Sequence, residues 1–233
     1  MASAENRLIQ QLPTEVRHRF LARCEAFELK LSAEISVRGQ PLTHACFPRS
    51  GFISLVIDAD SHPALEVGMI GIESMLGSEL VLGLAKTPWR ALVQGEGSCW
   101  RIGAEAMRQC LADMPELLDV VQASLLVRLH QQALASACER FHMIGPRLAR
   151  WLLMSQDRAQ SNSFHVTQES LALMLGVRRV GITMAAGGFQ NSGLIAYHRG
   201  SVTVLNRTGL EAEACSCYRA DKQIYAELTT HRH

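Results

Sequence analysis

Residues 167–190 read TQESLALMLGVRRVGITMAAGGFQ, and this stretch decides the reading of the chain. Leu171, Met174 and Leu175 recur at helical spacing, the mark of a buried stripe. Thr167 stands just ahead of the stripe, where an N-cap belongs. Gly176 follows it, at a point where a sharp turn needs positive φ. Val177, Arg178 and Arg179 then open a second helix. Helix, glycine turn and second helix make the helix-turn-helix pattern, whose second helix can enter the DNA major groove. An amphipathic hairpin inside a protein core would show the same apolar spacing, so the pattern by itself leaves both readings open.

The flanks sharpen it. Asn191, Ser192 and Gly193 end the second helix, and residues 195–205 alternate as a hairpin turning at Arg199-Gly200. Such a hairpin would be the wing of a winged helix. Upstream, residues 147–156 form a helix with Leu148, Trp151, Leu152 and Met154 for its core. Gly145-Pro146 interrupts the helical run before it and is taken as the boundary between two domains, 1–144 and 145–233.

A long helix is expected from Pro115 to about Phe141, with proline at a first-turn position. Leu118, Val121, Leu125 and Leu129 share a stripe that continues through Ala133 and Ala137. That length exceeds what a small β domain can cover, so part of the stripe is expected to pack on a second copy of the chain. Residues 27–102 read as short strands broken by glycine and proline turns, which suggests an antiparallel sandwich or jelly roll. The first 25 or so residues read as one helix, with Leu8, Leu12, Val16, Phe20 and Leu21 on one side. The fold class is therefore α+β: a β-roll, a long helix and a winged helix-turn-helix.

Composition narrows the class. The chain has 233 residues, 48% of them hydrophobic and 19% charged, enough for real cores. No apolar run approaches the roughly 20 residues of a membrane span, and the N-terminus lacks the apolar core of a secretory signal. A cytoplasmic protein away from membranes is expected. Net charge is +1, but residues 145–233 hold ten Lys/Arg against six Asp/Glu. Between Thr167 and Leu210 lie four arginines and one acid, Glu169. Such a basic patch suits phosphate contacts, although a solvated basic face would look the same. Seven cysteines are scattered without a CxxC pair, so reduced, mostly buried thiols are expected and no metal site is assigned. Cys215 and Cys217 form a CxC, which can chelate a soft metal or simply pack.

RLARWLLM (147–154), TQESLALMLGVRR (167–179), GLIAYHRG (193–200) and CSCY (215–218) together resemble the Crp/Fnr family of bacterial transcription regulators. FPRSGFISLV (47–56) and VGMIGIESMLG (67–77) look like that family's effector domain. The resemblance implies a cyclic-nucleotide-binding-type β-roll, a long dimer helix of a homodimer, and double-stranded DNA as partner. RNA polymerase and an unidentified small-molecule effector are further partners it implies. Arg179, Val180 and Met184 fall on the positions that read bases, and Arg179 keeps the guanine-reading arginine. Val180 and Met184 depart from the best-known member, which has glutamate and arginine there, so a different operator is expected. Thr167, Gln168 and Arg178 fall on phosphate-contacting positions.

Members that bind cyclic AMP use a Gly-Glu pair and an Arg-Ser pair. Here Gly77-Ser78 occupies the first, with Glu79 one residue late, and Arg90 is one residue late in the second. A one-residue slip on a strand reverses the face, so Ser78, Glu79 and Arg90 make a poor cyclic-AMP pocket. The cofactor is left unknown. Haem could use His44, Cys46, His62 or a methionine, which keeps a redox, haem or metal sensor open as an alternative. A cupin-like enzyme would need clustered ligands on neighbouring strands, and His44, His62 and Glu66 are dispersed. No nucleophile elbow, P-loop or zinc signature is present, so no catalytic residue is assigned and no enzyme is expected.

Overall fold

The computed structural model describes residues 5–58 and 64–230. His62 lies outside the described residues. The chain divides into two compact units, one of residues 1–56 and 69–128, the other of residues 57–68 and 129–233.

The first unit opens with two helices, α1 (Arg7–Gln10) and α2 (Thr14–Leu21), where the sequence suggested one. Pro13 explains the break, because it has no N–H to donate and biases Leu12 away from helical backbone. Asn6 caps α1, its side chain accepting from the N–H groups of Leu8 and Ile9. Leu8, Leu12, Val16 and Phe20 are buried as expected.

Five strands follow: β1 (Glu25–Leu29), β2 (Glu34–Ser36), β3 (His44–Ile57), β4 (Leu65–Ile70) and β5 (Arg90–Gly103). They form one sheet in the order β1-β5-β3-β4, with β2 also on β5. The strands β1, β2 and β3 all run antiparallel to β5. Short strands were expected throughout, yet β3 and β5 each run 14 residues. Bulges reconcile the two descriptions. The β3–β5 register shifts between Pro48 and Ser50, between Ser50 and Phe52, and between Phe52 and Ile53. Each bulge bends and twists a strand without ending it. Gly51 is required at the bend: its φ is +74°, and a Cβ there would lie 2.4 Å from the Gly95 carbonyl oxygen. Glycines that read as strand breaks in the sequence are thus kinks within long strands. Against this sheet pack α1, α2, α3 (Ala104–Asp113) and the start of α4 (Pro115–Phe141), burying Phe20, Phe47, Met107 and Val121 in one cluster.

Helix α4 has the expected limits, and its 27 residues span about 40 Å. The helical run breaks at His142 and Met143, before the Gly145-Pro146 pair. That pair lies in the first turn of α5 (Ile144–Ala159), where the missing proline N–H would have had no helical partner anyway.

In the second unit α5 buries Leu148, Trp151, Leu152 and Leu153. Next come β6 (Ser163–His165), α6 (Gln168–Met174), α7 (Arg179–Asn191), β7 (Ile195–His198) and β8 (Ser201–Val204). The three strands form a second antiparallel sheet in the order β6-β8-β7. The β7–β8 hairpin turns at Arg199 and Gly200, both with positive φ, the requirement of a tight two-residue turn. Helices α8 (Arg207–Glu213) and α9 (Cys217–Thr230) complete the unit. Among the described residues no single helix is long and apolar enough to cross a membrane.

Candidate nucleic-acid interface

The two-helix motif is built as the sequence suggested. Thr167 caps α6, its hydroxyl accepting from the Ser170 N–H at 3.0 Å. Leu171, Met174 and Leu175 are buried, and Gly176 turns the chain at φ +61°. Helix α7 buries Ile182, Ala186 and Phe189, spaced four and three residues apart, on one face. Gly181 lets the first turn of α7 approach α5, since a Cβ there would meet Ile144 Cδ1 at 2.6 Å.

That packing fixes what α7 shows to solvent. Arg178, Arg179, Val180, Thr183 and Met184 are exposed. Val180 and Met184, four residues apart on one face, keep 64% and 74% of their surface open. Arg178 occupies the N-cap position and makes no side-chain cap, and no acid sits in the first turn. The end of α7 thus combines unsatisfied N–H groups with two guanidinium groups, an arrangement that favours an anion.

An open cleft of about 420 Å³ lies beside this end, lined by Thr167, Gln168, Arg179, Gln190, Tyr197, Arg199 and Gly200. It brings the expected base reader Arg179 beside the expected phosphate contacts Thr167 and Gln168. Thr183 Oγ1 donates to Gln168 Oε1 at 2.7 Å. This bond ties α6 to α7 and engages the oxygen of the Gln168 amide rather than its N–H₂ group. Tyr197 donates its hydroxyl to the Val166 carbonyl at 2.8 Å, holding the hairpin against the start of α6. Thr183, Arg199 and Tyr197 were not assigned roles from sequence. The hairpin reading put Arg199 at a turn, but only tertiary packing brings that turn beside α7.

Of the four arginines in the basic segment, Arg207 does not belong to this surface. It pairs with Asp157 at 2.8 Å and Glu211 at 2.9 Å, and donates to Gln156 at 2.9 Å and Tyr218 at 2.5 Å. Burial works against the Arg207 charge, but Asp157, Tyr218 and Glu211 together outweigh it, so its pKa is raised. The other three arginines, Arg178, Arg179 and Arg199, are exposed.

The stripe on α4 is only partly available to a partner. Val121 is fully buried in its own chain's core, and Leu118 packs partly against it. Val121 therefore cannot serve at a dimer interface, because the β domain already covers it. Leu125 is half-buried, Ala133 is exposed, and Leu126 and Leu129 keep 53% and 67% of their surface open. The open face runs through Gln122, Leu126, Leu129, Ala133 and Ala137, rotated from the stripe read in the sequence.

The expected effector residues also separate. Ser78 and Glu79 are buried at a 3₁₀ turn, residues 78–82. Arg90 instead pairs with Glu34 on β2 at 2.9 Å. The cation beside Ser78 is Arg128 of α4, donating to Ser78 Oγ at 2.6 Å with Glu79 close enough to favour its charge. Burial nevertheless lowers the Arg128 pKa overall. A separate cavity of about 750 Å³ is lined by β1, β2 and the start of β3, including Phe27, His44, Cys46 and Arg101. None of Ser78, Glu79 and Arg90 lines it.

Residues 146–213 match the model of the Crp-like helix-turn-helix domain. No curated protein matches the sequence significantly. Among solved structures, the chain is similar to a Crp/Fnr-family protein from Eubacterium rectale ATCC 33656, at 19% identity and a TM-score of 0.66, covering 91% of this chain and 98% of that one. It is similar to FixK2 from Bradyrhizobium japonicum, at 12% identity and a TM-score of 0.68, covering 82% and 98%. A CRP-family transcriptional regulator from Thermus thermophilus gives 20% identity and a TM-score of 0.67, covering 82% and 96%. At these identities the structural likeness speaks to fold. Together with the matched domain it places residues 146–213 in the Crp-like helix-turn-helix family, on a chain with the fold of Crp/Fnr transcriptional regulators.

Proposed function

We propose that this protein is a sequence-specific, DNA-binding transcriptional regulator that acts as a homodimer in the cytoplasm. The observation that carries the reading is the solvent face of α7. Arg178, Arg179, Val180 and Met184 stand exposed on a helix whose opposite face is packed, beside a cleft lined by Thr167, Gln168 and Arg199. Arg179 reads a guanine, its planar fork matching O6 and N7. Val180 and Met184 supply apolar contacts of the kind that suit thymine methyls. Thr167, Gln168 and Arg178 hold phosphates and set the register.

The dimer forms through the open face of α4 at Leu126, Leu129 and Ala133, with Leu125 at its margin. Two-fold symmetry makes the operator a near-palindrome with half-sites about one helical turn apart. Cyclic AMP is not the effector, because Arg90 is engaged by Glu34 and Ser78 by Arg128. The test is selection of bound duplexes from a random pool by the full chain. An inverted repeat is expected, and recovery of no preferred sequence would overturn the reading.

A further inference from the structure

Four side chains of the second unit converge where the sequence suggested only scattered thiols. Cys138 lies near the end of α4, and His142 follows one turn later, so both face the same side. Cys215 precedes α9 and Cys217 opens it. Their ligand atoms, three Sγ and one imidazole nitrogen, all lie within 4.8 Å of one another. Cys138 Sγ and Cys215 Sγ are 3.5 Å apart, and Cys217 Sγ lies 3.6 Å from His142 Nδ1. All three cysteines are buried and His142 is half-buried.

We propose that Cys138, His142, Cys215 and Cys217 form a tetrahedral Cys₃His site for one Zn²⁺ ion per chain. Four ligands held about 2.0–2.3 Å from a zinc ion stand roughly 3.5–3.8 Å apart along the tetrahedron's edges. The two contacts given above already have that length. The set is closed, with no position left for water, as in structural rather than catalytic zinc sites. A cubane iron–sulfur cluster would hold its thiolates farther apart than this group allows. Two sulfurs at 3.5 Å are also well beyond a disulfide bond.

The surroundings match the charge that zinc would leave. Three thiolates, one neutral imidazole and Zn²⁺ sum to one negative charge. Arg150, held by Asp221 at 2.6 Å, carries its positive charge close to Cys138 and Cys215. Each thiol loses its proton to solvent on binding, so three protons leave as the ion enters and no electron moves. The ion ties the last turn of α4 to the first turn of α9, two segments far apart in sequence. It would thereby fix the end of the long helix within the unit that carries α7.

The test begins with metal analysis of the full chain, purified under reductant without chelator, followed by titration of the stripped protein with Zn²⁺ and with Co²⁺. One zinc per chain is expected, and Co²⁺ should give the intense visible bands of a tetrahedral thiolate site. Cys217→Ser and His142→Gln should each weaken Zn²⁺ binding by on the order of 100-fold or more, since loss of a mere outer-shell partner already costs about 10–100-fold. Cys24→Ser, which alters a thiol outside the cluster, should leave the stoichiometry intact. The Co²⁺ spectrum of unmutated protein keeps the test independent of whether any variant folds. Four results would each overturn the proposal: failure of the reduced wild type to bind either metal, a Co²⁺ spectrum without thiolate bands, a Cys138–Cys215 disulfide in metal-free native protein, or equal metal loss in Cys24→Ser.

Discussion

At the residue scale, adjacent arginines at the start of α7 are given different work by one helical step. Arg179 lines the cleft with Gln168 and Tyr197, while Arg178 occupies the N-cap and lies outside that lining. Arg179→Ala should cost about 1–3 kcal/mol per half-site and relax preference at one symmetric pair of positions. Arg178→Ala should weaken all sequences alike and lower the salt slope by about one unit per half-site. Titrations of operator variants at several salt concentrations separate the two. If Arg179→Ala left base preference unchanged, the groove assignment would be wrong. Arg207 provides the contrast, because its guanidinium is committed to Asp157, Gln156, Glu211 and Tyr218. Arg207→Ala should lower stability by about 1–2 kcal/mol, the partly exposed ion pairs contributing little and the bond to buried Tyr218 more. Denaturant unfolding measures this, and base preference should not move.

At the scale of elements, α4 divides its length between two tasks. Its first turns bury Leu117, Val120 and Val121 in the β domain's core. Beyond them Leu126 and Leu129 stay exposed on the single chain. Leu129→Glu should therefore leave the fold of the single chain intact and shift dimer to monomer, because two facing carboxylates near the axis would be desolvated without partners. Sedimentation at micromolar protein checks it, and a mutant that remains dimeric would move the interface elsewhere. Val121→Glu should instead unfold the first unit, since that side chain lies in its core. The same reasoning explains why the period of apolar residues was legible while the interface was not. Leu118, Val121, Leu125 and Leu129 do share a stripe, but a stripe shows only that something covers it. Burial by the chain's own sheet takes its upper part, which the sequence had placed at the dimer seam.

At the scale of the whole molecule, the turn at Ser78 and Glu79 and the middle of α4 meet through Arg128. One Glu79 oxygen accepts from Thr87 at 3.3 Å, while the other is buried with no hydrogen-bond partner. Arg128→Ala should cost about 2–3 kcal/mol, because it removes the nearby cation and leaves a buried carboxylate behind. Thermal or denaturant unfolding tests this; a change within about 0.5 kcal/mol, as at ordinary surface sites, would show the contact to be idle. Calorimetry with cyclic AMP should show no binding at physiological nucleotide concentrations. Micromolar binding abolished by Arg90→Ala would show that Arg90 leaves Glu34 to serve a ligand.

Local chemistry made much of this protein legible from its sequence. Thr167 as a cap, Gly176 at positive φ, the hairpin turn at Arg199-Gly200 and the limits of α4 each rest on interactions a few residues apart, so neighbouring residue types suffice to determine them. The order of elements followed from the same local signals. Tertiary structure decided what depends on contacts between distant segments. It turned glycine-broken strands into two long, bulged ones, because β3 and β5 bend together. It withdrew Arg207 from the basic face, moved the cation beside Ser78 from Arg90 to Arg128, and covered Val121. It also gathered Cys138 and His142 beside Cys215 and Cys217. Spacing along the chain shows only the two halves, Cys138 with His142 and the Cys215–Cys217 pair, because the halves become neighbours only when α4 and α9 pack in one unit.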